Sequence, residues 1–303
     1  MAVDLIRLAA GRVAPPPELV RAMIAGQFPQ LAELNVQPVA RPGWDNASFR
    51  LGDDLLVRLP TAEHYAAQVA IEQQWLPWLA PQLPLPIPQP VAFGQPTADF
   101  PWPWSIYRWL PGAPADGAAI ADQNGLASDL AAFLTALHKL DAHGGPPPCR
   151  RNFHRGGPLA IYDQETRTAI AVLGAAIDGT AALACWQAAL ATPWTGPARW
   201  LHGDIAPDNL LVRGGRLAAV IDFGGCAVGD PACDLAIAWR WFDAPARRIF
   251  LDGCGLDAAT IQRGAAWALW KALIVLAGLP GTNPAGRDQC QAIIASILAE
   301  VPG

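Results

Sequence analysis

The chain has 303 residues, of which 52% are hydrophobic and 16% are charged. This composition excludes an intrinsically disordered protein and is typical of a globular chain, with length enough for one large domain or two lobes. The net charge is −5 and neither sign forms a long run, which disfavours nucleic acid or a membrane surface as partner and favours a small molecule.

Three features of the sequence bear on cellular location. Residues 1–17 contain scattered charges and no uninterrupted apolar core, so no export signal is predicted. The six cysteines include no CxxC pair, which favours reduced thiols over a zinc site or a disulfide scaffold. The most apolar stretch, 264–286, is interrupted by Lys271 and favours a buried helix over a membrane span. We therefore expect a cytoplasmic protein with no membrane partner.

Strand signals come first along the chain. Residues 47–51 and 55–60 predict a hairpin of half-buried strands. A helix should follow, capped by Thr61 and running to about Leu76, where Pro77 should bend or end it.

An extended, proline-rich spacer over 84–90 is predicted next. Short strands over 91–93 and 104–110 should follow it. Beyond Pro111-Gly112 the apolar residues recur at helical spacing, which places a boundary between two lobes at 108–113.

One hairpin interrupts the helical part of the chain. Its strands are predicted over 210–213 and 216–221, joined by Gly214-Gly215. In that register Asn209 and Asp222 are diagonal neighbours on one face of the ribbon. Two oxygen-bearing side chains placed in this way can bind one Mg²⁺, so the open end of the hairpin is a predicted metal site.

The residues before this hairpin complete a catalytic pattern. Asp204 lies five positions before Asn209, and the spacing D-x-x-x-x-N followed by D-F-G matches the protein-kinase catalytic loop, with His202-Gly203-Asp204 in place of His-Arg-Asp. Any one of these residues is explained as an ordinary turn residue. The four polar residues together favour a phosphoryl-transfer site over that explanation.

The segments HGDIAPDNLLV and AVIDFGGCAVGDPACDLA resemble the aminoglycoside phosphotransferase family of small-molecule kinases. The resemblance implies an α+β, two-lobed protein-kinase-like fold, with a small N-terminal β-rich lobe and a larger helical C-terminal lobe. It implies that residues 1–109 bind the nucleotide and that residues 110–303 supply the catalytic and acceptor-binding groups. The implied reaction moves the γ-phosphoryl group of ATP, with GTP as the alternative donor, to a hydroxyl of a small molecule.

The resemblance also implies roles for the motif residues. Asp204 would be the catalytic base, with His202 bracing its loop, and Asn209 and Asp222 would hold Mg²⁺ against the nucleotide phosphates. The two aspartates of GDPACDLA resemble the structural carboxylates behind the loop, although capping of a helix start accounts for them equally.

Arg58 stands where the family usually has a lysine that binds the nucleotide phosphates, and Glu72 matches the family's helix carboxylate. An arginine keeps the charge but presents a planar fork instead of a point charge. One helical stripe of apolar residues includes Glu72 and predicts its burial beside Arg58, whereas a rival stripe would leave Glu72 at the surface. The first stripe is Tyr65, Val69, Leu76 and Leu79, and the rival is Ile71, Trp75 and Trp78.

Two further parts of the nucleotide site follow from the resemblance. The turn at 43–48 is similar to the nucleotide-covering loop, where Asn46 or Ser48 could reach phosphate oxygens, although any tight turn would show the same residues. Backbone groups near Arg108 and Leu110 would bind the adenine.

The acceptor is indicated only by its surroundings. Acidic and basic residues nearly balance from Val228 to the end, which does not favour a polycationic aminoglycoside. Trp267 and Trp270 could line a pocket, although core packing is the simpler role. Arg155 could bind an anionic acceptor, although a solvated loop charge is the simpler interpretation.

Two alternative functions share these motifs. One is a metabolic kinase acting on choline, homoserine or a sugar, and the other is a nucleotide-binding pseudokinase, which the arginine at position 58 suggests. A protein kinase is disfavoured because no A-P-E segment follows D-F-G. The sequence carries no signal for an oligomeric state.

Overall fold

The computed structural model describes residues 5–8, 11–41, 43–118, 120, 122–280, 282 and 286–300. The chain divides into two compact units. The first comprises Met1–Pro111 and Ala219–Gly224, and the second comprises Gly112–Ala218 and Gly225–Gly303. The D-F-G segment therefore belongs to the first unit, although it lies more than a hundred residues further along the chain.

Five strands of the first unit form one antiparallel sheet, and two shorter strands pair separately. The short pair is β1 (Ile6–Arg7) and β2 (Val13–Ala14). The sheet consists of β3 (Val36–Pro38), β4 (Asn46–Leu51), β5 (Leu55–Pro60), β6 (Pro90–Gly94) and β7 (Trp104–Arg108). Their spatial order is β3-β4-β5-β7-β6.

The predicted hairpin and the two later strands of this unit are confirmed, with small changes of length: β4 begins one residue earlier, and β6 extends one residue further at each end. Strand β7 ends at Arg108 rather than 110, because Arg108 lies opposite Leu55, the first residue of its partner β5. Strand β3 carries no clear sequence signal and joins the edge through β4.

The core of the first unit lies on one face of the sheet. Along β4 the side chains of Ala47, Phe49 and Leu51 are buried and alternate with half-buried neighbours. Helix α1 (Pro17–Gln27) packs on this face through Met23 and other apolar residues. The alternation follows from the two-residue period of a strand and leaves the opposite face for polar groups.

Helix α2 (Glu63–Leu79) corrects the prediction at both ends. Thr61 does not cap it, because the N-cap position falls at Ala62. The Thr61 hydroxyl instead shares its proton between the Trp44 and Asp45 carbonyls, at 2.8 and 3.0 Å. The helix also continues past Pro77 to Leu79. A proline in the last turn removes only its own amide bond, and burial of Leu79 outweighs that loss.

Short strands of the second unit flank the catalytic motif. They are β8 (Ala113–Pro114), β9 (Arg199–Leu201), β10 (Leu210–Arg213), β11 (Arg216–Val220) and β12 (Ala227–Gly229). β11, β10 and β8 pair in that order, and β12 pairs with β9. The predicted Gly214-Gly215 turn is confirmed, because both residues have the positive φ (60° and 77°) that a two-residue hairpin turn requires.

The remainder of the second unit is helical, as predicted. Its helices are α3 (Gln123–His138), α4 (Asp163–Leu173), α5 (Gly179–Leu190), α6 (Ile237–Arg240), α7 (Ala244–Cys254), α8 (Ala258–Ala277) and α9 (Arg287–Leu298). Helix α8 packs against α4, α5, α6 and α9, which accounts for its predominantly apolar sequence. Among the described helices, none combines the length and apolarity needed to cross a membrane.

Candidate active site

The polar face of the first unit's sheet brings together three of the predicted nucleotide-binding residues. Ser48 lies directly opposite Arg58, and Asn46 lies opposite Pro60. Cross-strand partners share a face, so Asn46, Ser48 and Arg58 all point away from the core. Each is half-buried, which leaves part of the side chain available to a ligand.

Arg58 bridges two carboxylates on this face. Its Nη1 donates to Glu72 Oε1 at 3.2 Å, and its Nη2 donates to Asp222 Oδ1 at 2.8 Å. Burial opposes the charge, but the carboxylates of Asp222 and Glu72 outweigh it and hold the pKa of Arg58 above its ordinary value. The guanidinium fork thus serves both partners with separate nitrogens, which a lysine cannot do in the same geometry.

Glu72 is buried, which confirms the first of the two helical stripes. Tyr65, Val69 and the other members of that stripe are buried, together with Gln68. Tyr107 of β7 donates its hydroxyl to Glu72 Oε2. Burial raises the pKa of Glu72, and the nearby Arg58 guanidinium only partly offsets that effect. Sequence reasoning missed this role of Tyr107, because a buried aromatic residue fits an ordinary core equally well.

The D-F-G segment is fixed against helix α2 within the first unit. Asp222 adopts a left-handed backbone with φ of 69°, which is uncommon for a residue with a side chain. Phe223 is fully buried. A Cβ on Gly224 would lie 2.6 Å from Gln68 Oε1, so any other residue there would displace the Gln68 side chain. These constraints fix the direction of the Asp222 carboxylate, which is 28% exposed.

The backbone amides at and beyond the end of β7 differ in whether they donate a hydrogen bond. The Arg108 amide donates to the Gln89 carbonyl at 2.9 Å, and the next amide, of Trp109, donates to Asp54 at 2.8 Å. The Leu110 amide makes no hydrogen bond with any residue that the structure describes. A free backbone donor next to a finished strand is a suitable partner for a nucleotide base.

In the second unit, Asp234 fixes the backbone of the catalytic loop. Its Oδ2 accepts from the His202 amide at 2.8 Å, and its Oδ1 accepts from the Gly203 amide at 2.7 Å. The His202 ring is fully buried, and its Nδ1 accepts from the Asp204 amide at 3.2 Å. The Asp204 residue itself is exposed. Three hydrogen bonds therefore set the position of an open carboxylate.

Gly203 is required by the path of this loop. Its φ is +87°, and a Cβ there would lie 2.5 Å from the Gly225 carbonyl oxygen. Both features exclude the arginine that protein kinases carry at this position. The departure from His-Arg-Asp is thus dictated by the local backbone.

Asn209 closes the loop from its other end. Its Nδ2 donates to the Asp204 carbonyl at 2.9 Å, so the amide oxygen is the end that a cation could use. Asn209 lies in a 3₁₀ turn (Pro207–Asn209) before β10, and Asp222 lies beyond the end of β11. Both residues thus lie just outside the two strands, as the sequence predicts.

A buried ion pair supports the segment behind the loop. The carboxylate of Asp230 accepts from Arg263 Nε at 2.7 Å and from Arg263 Nη2 at 3.2 Å. Asp230 also accepts from the Ala232 amide at 3.1 Å, which confirms its capping role. Sequence reasoning did not identify Arg263, whose charge gave no sign of burial within an apolar helix.

His138 is a further part of this support. It is the last residue of α3 and is 5% exposed. Its Nε2 lies 3.7 Å from Asp234 Oδ2. Neither ring nitrogen has a hydrogen-bond partner among the described residues. A histidine at helical spacing with apolar residues was the only sequence signal for this position.

The metal ligands implied by the motif suit magnesium by their chemistry. Asp222 offers a partly exposed carboxylate and Asn209 an amide oxygen, both hard oxygen donors of the kind that Mg²⁺ prefers. The described residues contain no cluster of three or more His, Cys, Asp or Glu that could bind a metal without a further ligand.

Comparison with known proteins gives the class of this chain. A family model described as the phosphotransferase enzyme family matches residues 36–286. The chain therefore belongs to the phosphotransferase enzyme family. No curated relative matches it in sequence. The predictions of the family and of a small-molecule phosphotransferase are confirmed.

Solved structures share the fold. The GDP and kanamycin complex of APH(2″)-IIIa is 22% identical with a TM-score of 0.70, and the alignment covers 93% of this chain and 96% of that one. The macrolide 2′-phosphotransferase MphH from Brachybacterium faecium is 21% identical with a TM-score of 0.62, covering 95% and 98%. The streptomycin–ATP complex of APH(2″)-IIa is 16% identical with a TM-score of 0.57, covering 98% and 97%. The predicted kinase-like α+β fold is confirmed.

Proposed function

We propose that this protein transfers the γ-phosphoryl group of ATP to a hydroxyl of a small molecule, with Asp204 as the catalytic base. The observation that carries the proposal is the catalytic loop. An exposed carboxylate is fixed by hydrogen bonds between the loop backbone and the side chains of Asp234, His202 and Asn209, in a chain of the phosphotransferase family. A fixed base needs no reorganisation when the acceptor arrives.

The reaction requires little covalent chemistry from the protein. The acceptor hydroxyl oxygen forms a bond to the γ-phosphorus while the bond to the bridging oxygen of ADP breaks. Asp204 accepts the hydroxyl proton. His202 acts as a positioning residue, because its ring is buried and contacts the loop backbone rather than open space.

The nucleotide is assigned to the first unit. Arg58 would bind phosphate oxygens, with Glu72 holding its guanidinium in place, and Asn46 and Ser48 lie on the same half-buried face. The backbone at Arg108 and Leu110 would bind the base of ATP, or of GTP as the alternative donor. The observed Arg58–Glu72 pair argues against the pseudokinase alternative, since the phosphate-binding cation is already in place.

Magnesium is the proposed metal cofactor. Asn209 and Asp222 would hold it. When bound, Mg²⁺ neutralises charge on the nucleotide phosphates.

The proposal gives each part of the chain the role that its motifs imply. Residues 1–109 are proposed to bind nucleotide and residues 110–303 to supply the base and the acceptor site. The cysteines support a reducing location such as the cytoplasm, because none of the six forms a disulfide.

Asp204→Asn tests the proposal. ADP release would be measured with Mg²⁺ and ATP against aminoglycosides, macrolides, amino alcohols, sugars and hydroxy acids. The variant should lose turnover by a factor of roughly 10³ or more while keeping its melting temperature and its ATP affinity. Asp252→Asn is the matched control, since that side chain lies in helix α7, away from the loop, and is 76% exposed. Unchanged turnover in Asp204→Asn would remove the assignment of the base.

A further inference from the structure

Three basic side chains of the second unit either contact the loop that carries Asp204 or interact with Asp204 electrostatically. Arg155 lies against the loop, with its Cβ only 3.2 Å from the position that a Cβ on Gly203 would occupy. Arg240 ends helix α6, and Lys271 lies on helix α8, against which α6 packs. All three are half-buried rather than fully solvated. This corrects the interpretation of Arg155 as a solvated loop charge.

Aromatic rings hold two of these cations in place. The Arg155 guanidinium carbon lies 5.2 Å from the Trp267 ring centre and 5.5 Å from that of Trp270. Lys271 Nζ lies 5.9 Å from the Trp270 ring centre. Tyr162 packs on Trp270 with ring centres 4.1 Å apart. The rings of Trp267, Trp270 and Tyr162 therefore pack beside Arg155 and Lys271.

The carboxylates of Asp204, Asp208 and Glu165 act electrostatically on Arg240 or Lys271, but no described carboxylate forms a close ion pair with the three cations. Among the described residues, none of the three makes an ion pair within 4.0 Å or a hydrogen bond through its side chain. The nearby carboxylate of Glu165 instead accepts from Trp270 Nε1 at 2.7 Å. The buried Trp267 Nε1, on the ring beside Arg155, is a further donor without an acceptor among described residues.

The cations and the base act on one another electrostatically. The pKa of Lys271 is lowered to about 8, mainly by burial and also by Arg155 and Arg240, against the opposing effect of Asp204 and Glu165. Burial likewise lowers the pKa of Arg240, which Asp204 opposes. Like charges that are partly buried and form no close ion pair raise the free energy of the protein without ligand. Such an arrangement is typical of a site that binds an anion.

We propose that Arg155, Arg240 and Lys271 form an anion-binding subsite beside Asp204 that holds a carboxylate or phosphate group of the acceptor. The inference rests on the proposed function and specifies its substrate class. The acceptor is a hydroxy acid or a hydroxyl-bearing phosphate ester, with an apolar portion that packs on Trp267 or Trp270. A polycationic aminoglycoside is repelled by the same three charges.

The first test measures anion binding without catalysis. Inorganic phosphate is titrated at constant ionic strength, and the melting temperature of the wild type should rise with saturation. Lys271→Met and Arg240→Met should abolish the rise. Lys139→Met and Arg248→Met are the matched controls, because both side chains are exposed in the same unit. The absence of a rise in the wild type, or an equal rise in Lys271→Met, overturns the subsite.

The second test compares acceptors as charged and neutral pairs, shikimate with methyl shikimate and pantothenate with panthenol, beside kanamycin. ADP release should show at least roughly a tenfold higher kcat/KM for the acid of a pair. Lys271→Met should raise KM for the acid by roughly ten- to a hundredfold with little change for the neutral partner. Preference for the neutral compound or for kanamycin overturns the proposal while leaving the phosphotransferase function intact.

The variants also separate the acceptor's anion from the nucleotide's phosphates. ATP affinity of Lys271→Met should equal that of the wild type. A tenfold loss of ATP affinity, with KM for the acid unchanged, would assign the cations to the nucleotide and overturn the proposal. If no acceptor in the panel is phosphorylated, the phosphate titration decides the subsite independently of the proposed function.

Discussion

Arg58 shows how one substitution within a family pattern is accommodated by its neighbours. A lysine point charge would have to choose between Glu72 and Asp222 or lie between them. The arginine fork uses one nitrogen for each, at 3.2 and 2.8 Å. Burial of Glu72 makes that pair important, because a carboxylate without its partner would lie desolvated beside Tyr107.

Arg58→Met is expected to weaken ATP binding and to lower the free energy of unfolding by about 3 kcal/mol, because it leaves Glu72 buried without a cation. Arg58→Lys keeps the charge and should retain most of the stability and part of the ATP affinity. Urea unfolding and ATP titration measure the two effects. Equal losses of stability and of ATP affinity in the two variants would show that the charge of Arg58 does not cause either effect.

Lys271 gives a pH dependence with a definite sign. Its pKa in the folded protein, about 8, lies below the ordinary value of 10.5. Between these values the unfolded chain binds a proton that the folded one does not, so stability rises with pH through this window and is lost as pH falls towards 8. The charged and titratable groups that face it are Arg155, Arg240, Asp204, Glu165 and Cys290.

Lys271→Met should therefore unfold at higher urea concentration than the wild type at pH 7, and the difference should shrink at pH 10. The physical reason is that methionine carries no charge to desolvate. Urea unfolding at both pH values is the measurement, with Lys139→Met as the exposed control. A gain of the same size at both pH values would contradict the lowered pKa.

At the scale of an element, the catalytic loop is held by its backbone rather than by its sequence neighbours. Asp234, thirty or so residues further along, accepts both the His202 and the Gly203 amides. Gly203 needs its positive φ and has no room for a Cβ beside Gly225. The loop is therefore a single rigid unit in which each residue depends on the others.

Gly203→Ala should lower the free energy of unfolding by about 1–3 kcal/mol and reduce turnover more than ATP affinity. The strained backbone and the clash with Gly225 would displace Asp204. Gly214→Ala is the matched control, since Gly214 also has a positive φ (60°) but has nothing within 4 Å of the added Cβ. Thermal unfolding and steady-state kinetics are compared. Equal loss of turnover in both variants would show that the clash does not matter.

For the molecule as a whole, the thiols are available for a simple test. None of the six cysteines forms a disulfide, and five of them are buried. Added dithiothreitol should leave the melting temperature unchanged, because no disulfide contributes to stability. A fall in melting temperature on reduction would contradict this arrangement.

Metal removal is the second test at this scale. EDTA should abolish phosphoryl transfer, and added Mg²⁺ should restore it, because the negative charge of the nucleotide phosphates needs a divalent cation to neutralise it. The far-ultraviolet circular dichroism should not change, since the described residues contain no cluster of three metal ligands that would bind a structural metal. Full activity in EDTA would overturn the magnesium assignment.

The sequence by itself determined the features that depend on local spacing. The β4–β5 hairpin, the Gly214-Gly215 turn and the kinase-like catalytic pattern are all read from neighbouring residues. The family resemblance is also read from local motifs, because each motif is a short run of consecutive residues. Burial of Glu72 was an open choice between two helical stripes, since helical period alone does not say which side faces the sheet.

The tertiary structure alone decided which distant charges meet. Asp222 reaches Arg58 across 164 positions, and Asp234 reaches the His202 amide across 32. The placement of Arg155, Arg240 and Lys271 near Asp204 has no signal in local spacing, because each lies on a different segment. Charge pairing over such separations depends on how helices pack, and that packing is set by apolar contacts spread over the whole unit.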